Sequence, residues 1–395
     1  MSEPWVSIIG LGEDGLSGLT TASGEALAAA EVIFGGPRHL ALVGAGDRGR
    51  DWPVPFSVAP VLALRGQRVA VLASGDPFWH GAGGSLAAHL APDEWRAFPA
   101  PSTFSLAAAR LGWRLEEVLC LGLHAGPFTR LRPGLAPGMR AICLLRDGSA
   151  PAELACWLET QDFGASDLWV MEALGGPRER IRHARADAFD LTDIATPVAM
   201  AIQAAGGPGL PRASGLADDR FAHDGQITKR PVRALTLSAL APRPGELLWD
   251  IGGGSGSISV EWALAAPGAR AIAIEPRADR AATIRANAES FGLSHRIEVI
   301  EGAAPEALAA LPAPDCVFVG GGGSQALLEP LWTTLRPGTR LVANAVTLET
   351  EALLTQWHGQ QGGSLIRVEL SEAAPLGRMR GWTRARPVTQ WSVIR

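Results

Sequence analysis

The clearest chemical pattern in this 395-residue chain is the run Asp250-Ile251-Gly252-Gly253-Gly254-Ser255-Gly256. It follows the apolar Leu247-Leu248-Trp249 and leads into Ile258-Ser259-Val260-Glu261-Trp262-Ala263, which has helical character. A strand, a glycine loop and a helix start present backbone N–H groups to a bound cofactor at close range. The glycines at 252, 254 and 256 give the spacing D-x-G-x-G-x-G. Ser257 stands where a dinucleotide-binding loop carries its third glycine to seat a pyrophosphate. The next apolar run ends in Glu275, 23 residues after Gly252. A carboxylate there can accept hydrogen bonds from both hydroxyls of a ribose lying over the carboxyl edge of a sheet. Glu275 suits a nicotinamide dinucleotide as well as other nucleoside cofactors, so only the loop spacing separates them.

Three further stretches of the second half could touch cofactor or substrate. Gly302 follows the third apolar run and Gly320 the fourth; Gly321 and Gly322 extend the latter into a side-chain-free wall with room for a broad, flat substrate, or form a plain flexible turn. Upstream, Phe221 to Ala234 contains the turn Asp224-Gly225, then Thr228, Lys229, Arg230 and Arg233. Lys229 is the one lysine among 35 basic residues. Either it is retained by chance or one site needs a compact ammonium, which a guanidinium does not replace. Asp224 and Lys229 are therefore candidate catalytic groups. Thr228, Lys229, Arg230 and Arg233 are candidate substrate contacts, since arginines clamp carboxylates bidentately. The plainer reading of this stretch is a charged helix start.

In the first half, Gly10 and Gly12 follow the strand-like Val6-Ser7-Ile8-Ile9, and Gly75-Asp76-Pro77 follows the fully apolar Val69 to Ala73. His80 and His124 are possible proton carriers, although each could equally pack or hydrogen-bond.

These motifs carry resemblances. The D-x-G-x-G-x-G loop resembles motif I of the class I S-adenosylmethionine (SAM) methyltransferases. Phe221-x-x-Asp224-Gly225-x-Ile227-Thr228-Lys229-x-x-Val232-Arg233, followed by that loop, resembles the C15-methylating, decarboxylating precorrin enzymes, in which the segment covers the cofactor cleft. The usual class I acid that holds the adenine amino group is replaced by Ala303, which leaves adenine to the backbone or another side chain. Gly10-Leu11-Gly12, Ser74-Gly75-Asp76-Pro77, Pro101-Ser102-Thr103 and Glu172 to Ile181 resemble, in order, the class III tetrapyrrole methyltransferases. That family usually has Phe-Tyr or Met-Tyr where this chain has Phe78-Trp79-His80, which reshapes the pocket. Together the resemblances imply a bifunctional enzyme with two SAM sites and no metal. Its first half would methylate C5 of a precorrin, and its second half would methylate C15 and remove carbon dioxide from the C12 acetate. They imply Gly10, Gly12, Gly75, Asp76, Pro77, Asp250, Gly252, Gly254, Gly256, Glu275, Gly302 and Gly320 as cofactor contacts. They also imply self-association into a homo-oligomer.

The elements that must position these residues read as two α/β domains, residues 1–205 and 221–395, joined by a Gly/Pro-rich linker at 206–220. The first is expected as a two-lobed tetrapyrrole methyltransferase fold and the second as a Rossmann-like class I fold. Continuous apolar strands alternating with helices predict mostly parallel sheets in both. In the second half the spacing predicts strands at 246–249, 271–274, 297–300, 316–319, 340–343, 364–370 and 388–394, the last two as an antiparallel hairpin at the sheet edge. A net charge of −5 argues against a nucleic-acid partner. No apolar run approaches the roughly 20 residues of a membrane span. Met1 to Trp5 lacks the basic and apolar regions of an export signal, so a cytoplasmic enzyme is expected. Cys120, Cys143, Cys156 and Cys316 are isolated and read as buried thiols rather than metal ligands.

Overall fold

The computed structural model describes residues 4–395; residues 1–3, part of the stretch read for an export signal, lie outside the described residues. The chain forms two compact units. The first comprises residues up to Phe128 together with Gly134–Gly209, and the second comprises Thr129–Pro133 and Leu210–Arg395.

In the first unit, the apolar runs Val6–Leu11 and Val69–Ser74 become adjacent inner strands of a five-stranded sheet ordered 49–51, 32–35, 69–74, 6–11, 95–98, all parallel. Val6, Ile8, Ile9, Leu11 and Val69 to Ala73 are all buried, as expected of parallel strands covered on both faces. A helix, Thr103–Leu111, begins where the Ser102 hydroxyl accepts from the Ser105 N–H and stops at Gly112, which is left-handed. It leads to a second sheet ordered 118–122, 140–145, 198–203, 167–172, 180–185. Only its first pair is parallel; the other three pairings are antiparallel, which corrects the expectation of mostly parallel sheets throughout. The strand Arg180–Arg185 escapes the sequence pattern because its charges sit on a sheet edge. They serve the interior all the same: Arg180 and Arg182 both bind the buried Glu172 carboxylate, which also accepts from the Ala195 N–H. Burial raises that carboxyl, but these hydrogen bonds outweigh it and hold Glu172 below the usual carboxylate range.

The second unit is a three-layer arrangement around a seven-stranded sheet ordered 297–301, 270–275, 247–251, 316–319, 340–345, 388–394, 364–368. The first five strands are parallel; 388–394 runs antiparallel to both of its neighbours, so 364–368 has the same direction as the first five. Successive side chains alternate between the faces. Leu248, Ala271, Ala273, Cys316 and Phe318 join one core with Leu237, Val260, Trp262 and Ile284 from the helices Arg230–Leu240, Ser257–Ala265 and Ala278–Ser290. Leu247, Trp249, Ile251, Ile272, Ile274, Val317 and Val319 join the other with Leu331, Leu354 and Trp357 from Gln325–Thr334 and Leu348–Gln361. Strands 364–368 and 388–394 do pair antiparallel, but the chain between them forms a separate two-stranded hairpin, Ser371–Leu376 with Met379–Arg384.

The stretch 206–220, expected as a linker, carries a buried anchor. Leu216 lies in the core of the second unit, and the Gly215 and Leu216 N–H groups donate to the buried Glu261 carboxylate at 2.5 and 2.9 Å. The thiols divide: Cys143 and Cys316 are buried, Cys120 is half-buried, and Cys156 is exposed on a helix, which corrects the reading of four buried thiols. Among the described residues, no helix is long and apolar enough to cross a membrane, and no cluster of three or more His, Cys, Asp or Glu could hold a metal ion.

Candidate active sites

Strand order in the second unit reverses between 247–251 and 316–319, because the chain leaves the first strand toward one side of the sheet and returns on the other. A crevice opens at such a switch point, outside the carboxyl ends of the strands. Here it is a cavity of about 820 Å³. The glycine loop forms its floor. Gly252 and Gly253 donate to the Ile274 carbonyl, and Gly254 donates to Glu275 Oε2 at 2.9 Å. Gly252 is left-handed, and a Cβ there would stand 2.9 Å from backbone atoms of Gly321, so any side chain would wedge the two glycine segments apart. Glu275 Oε1 accepts from the Arg277 N–H at 3.1 Å. Its carboxylate is thus held rigid by two backbone donors, and each oxygen keeps a lone pair for a ligand.

Of the expected cofactor contacts in this unit, Gly252, Gly254, Glu275, Gly302 and Gly320 line the cavity, as do Thr228, Lys229, Gly321 and Gly322 from the expected substrate set. Four other expected residues lie outside the lining. Asp250 is buried behind the loop, where Oδ2 accepts from the Ser259 N–H and hydroxyl at 3.2 and 2.6 Å while Oδ1 has no partner. Burial pushes its carboxyl up to about 6, opposed by the Ser259 hydrogen bonds and reinforced by nearby Glu275. Gly256 does not line the cavity; it is the left-handed residue that starts the helix, and a Cβ there would meet Ile284 at 2.7 Å. Arg230 is exposed and lies outside the lining. Arg233 is fully buried: its guanidinium donates to Glu261 at 2.6 Å, to Asp218 at 3.0 Å and to the carbonyls of Thr228 and Leu216. With these donors engaged by the protein, it ties the strap Leu210–Lys229 to the helix Ser257–Ala265.

Asp224 also changes role. It accepts from Arg280 at 2.9 Å and from the Gln226 N–H, and it lies 3.8 Å from Arg277. The Arg280 hydrogen bond, then that of Gln226, hold its carboxyl below the usual range. It braces two arginines. Arg277, Arg280 and Arg386 line the cavity with Lys229, whose ammonium sits 3.7 Å from Asp218. Sequence reasoning missed these three arginines. Arg277 was within reach, two residues beyond Glu275; Arg280 and Arg386 were not, because only the fold brings them to the rim.

The first unit has its own cavity, about 620 Å³, lined by His39, Ser74, Trp79, His80, Phe104 and His124 among others. The expected contacts Gly10, Gly12, Gly75, Asp76 and Pro77 are not in its wall. They shape the turn beside it: the Gly75 N–H donates to the Leu11 carbonyl, and Asp76 Oδ1 accepts from the Phe78 N–H at 2.8 Å. A Cβ on Gly10 would strike the Gly75 carbonyl at 1.9 Å, so the strand end and the turn are in direct backbone contact. Expected proton carriers His80 and His124 both line the cavity, with ring centroids 6.4 Å apart. His39 was missed. Its Nε2 lies 2.8 Å from both an Arg38 guanidinium nitrogen and the Ser74 hydroxyl, while Glu13 binds Arg38 and Arg178. Burial, then the Arg38 charge, push the imidazole down to about 4, so it is neutral near pH 7.

Comparison with known proteins divides the chain along similar lines. Residues 6–190 match the family model of tetrapyrrole (corrin/porphyrin) methylases, and residues 219–395 match a precorrin methyltransferase domain. The chain is 50% identical to a precorrin-6Y C(5,15)-methyltransferase (decarboxylating) from Sinorhizobium sp, over 98% of this chain and 96% of that protein. It is 41% identical to the protein of the same name from Mycobacterium tuberculosis, over 99% of this chain and 100% of that one. Among solved structures, the C-terminal domain of precorrin-6Y C5,15-methyltransferase from Rhodobacter capsulatus is 62% identical, with a TM-score of 0.46, covering 47% of this chain and 100% of that one.

Proposed function

The chain belongs to the precorrin-6Y C5,15-methyltransferase (decarboxylating) family, and we propose that it performs the two methylations in separate clefts: C5 in the first unit, C15 in the second. The substrate is precorrin-6Y (dihydro-precorrin-6, or 6B), and the product, after loss of the C12 acetate carboxyl as carbon dioxide, is precorrin-8 of cobalamin biosynthesis. Membership in this family makes the protein a SAM-dependent methyltransferase, and SAM supplies a methyl group activated on a sulfonium. We further propose one SAM site per unit, a cytoplasmic homo-oligomer, and no nucleic-acid or membrane partner.

The observation that carries the reading is the composition of the second cleft. Its lining holds one carboxylate, Glu275, and four cations, Lys229, Arg277, Arg280 and Arg386; the rest is glycine, apolar or neutral polar. The residues fit an adenosine-bearing methyl donor. The side-chain-free loop and the close approach of Gly252 to Gly321 form a cradle that any side chain would fill, and Glu275 keeps lone pairs for ribose hydroxyls. Gly302 and Ala303 leave adenine to backbone groups. The four cations suit a substrate carrying several acetates and propionates.

The methyl-accepting carbons are bridge carbons of a reduced tetrapyrrole, enamine-like and already nucleophilic. Placement is the main demand, and orientation alone supplies about 7–11 kcal/mol. Ile251, Ile258, Phe318 and Leu327 give dry walls, which favour a step that disperses positive charge. In decarboxylation the bond from the acetate methylene to its carboxyl carbon breaks, its electron pair enters the conjugated ring, and a proton then reaches the methylene. The ring is itself the electron sink, so the step requires neither a metal nor a lysine Schiff base. Lys229 therefore serves as a carboxylate anchor. In the first cleft, His124 is the candidate proton carrier, across from a His39 held neutral.

The test is mass spectrometry of the full chain turning over the reduced precorrin-6 substrate with methyl-labelled SAM. Two labelled methyls and the loss of one carbon dioxide are expected. A product with one methyl, or with both methyls and an intact acetate, would overturn the assignment. Calorimetry with saturating SAM should report two equivalents per chain.

A further inference from the structure

The hairpin Ser371–Leu376/Met379–Arg384 stands apart from the seven-stranded sheet. Among the described residues it pairs with no other strand, and its base is the cleft rim: Leu370, Ala385, Arg386 and Val388 line the second cavity, and the Ala385 N–H donates to the Leu370 carbonyl. Residues directly opposite each other in an antiparallel pair share a face. The register sets Arg384 against Ser371, Trp382 against Ala373, and Arg380 against Pro375. One face therefore carries Arg380, Trp382 and Arg384 in a row, facing only small residues. Trp382 is 76% exposed. None of the guanidinium groups of Arg380, Arg384 and Arg386 has a hydrogen-bond or ion-pair partner among the described residues, although 40 acidic residues are available in the chain.

We propose that this face is the platform on which the second unit receives its tetrapyrrole. The inference rests on the functional reading above and adds the residues that select the substrate. An exposed indole offers a flat surface for a conjugated ring. The two arginines flanking it are four residues apart, about 13 Å along a strand, a spacing comparable to a tetrapyrrole bearing acetate and propionate arms. Their free forks suit those carboxylates bidentately. Arg386, two residues on, continues the row into the cleft. The occupant that these features select is a flat polycarboxylate macrocycle, since a second protein chain would bring no particular reason for unpaired guanidinium groups on both sides of one ring.

The test uses the full chain with three variants, W382A, W382F and R380A/R384A. Uroporphyrin, a planar octacarboxylate, serves as the binding probe, and C15 methylation is read by mass. In W382A the KM for C15 methylation should rise about tenfold, the effect of losing one stacked aromatic, with SAM affinity and C5 methylation unchanged. W382F should restore most of the loss. R380A/R384A should weaken probe binding and flatten its salt dependence. If the wild type methylates its substrate and all three variants match it in KM and probe affinity, the platform is wrong while the function stands. If the wild type neither binds nor methylates a tetrapyrrole, the functional reading itself fails. If W382A changes the mass of the assembly in light scattering while KM stays at the wild-type value, the face belongs to a second copy of the chain and the proposal is overturned.

Discussion

Asp250 opens the glycine loop, yet it is buried behind the cavity lining. Its work is done from behind, where one oxygen takes the Ser259 N–H and hydroxyl at the start of the helix Ser257–Ala265 and the other is left bare in the core. Burial raises its carboxyl from 3.8 to about 6. For a group raised on folding, the native state holds the proton more tightly than the unfolded chain. Its stabilisation is complete below about pH 4 and disappears as pH climbs through about 6. A shift of this size corresponds to about 3 kcal/mol. Asp250→Asn keeps an acceptor for Ser259 and removes the titration. Scanning calorimetry across that range should show the wild type losing stability relative to the variant as pH rises. Parallel pH profiles would refute the assignment of a protonatable, buried Asp250.

At the scale of elements, the strap from Leu210 to Lys229 is the part of the second site that depends most on a buried ion pair. Arg233, on the helix below it, joins Glu261 to Asp218 and to two strap carbonyls. Arg233→Met would leave Glu261 buried with only the Gly215 and Leu216 amides, a loss of about 3–5 kcal/mol in denaturant titration. The KM for C15 methylation should hold in the fraction that stays folded; a raised KM at wild-type stability would return Arg233 to the substrate. The lone lysine, the loop and Glu275 were legible because their chemistry is local: a spacing, a strand end, a unique residue. Arg233 looked like a clamp because sequence shows charge but not depth. The strands Arg180–Arg185 and Met379–Arg384 were invisible because they are rich in arginine and lie outside the buried sheet interior, so no apolar alternation marks them. The antiparallel half of the first unit's second sheet was likewise hidden, since a buried strand such as Val198–Gln203 reads the same in either direction.

At the scale of the whole molecule, the two cavities are each walled by residues of one unit alone. Gly252→Val should therefore abolish C15 methylation and one equivalent of SAM binding while the product still gains its C5 methyl; loss of both methylations together would contradict separate sites. A different consequence follows from the place of Val388–Ile394, which sits inside the second sheet between 340–345 and 364–368, with Trp391 fully enclosed. During translation, the sheet must wait with a vacant slot until that segment leaves the ribosome. A nonsense codon shortly before position 388 would thus remove no residue of the glycine loop, yet it would yield a polypeptide with a raw, sticky seam, a natural target for chaperones and proteases.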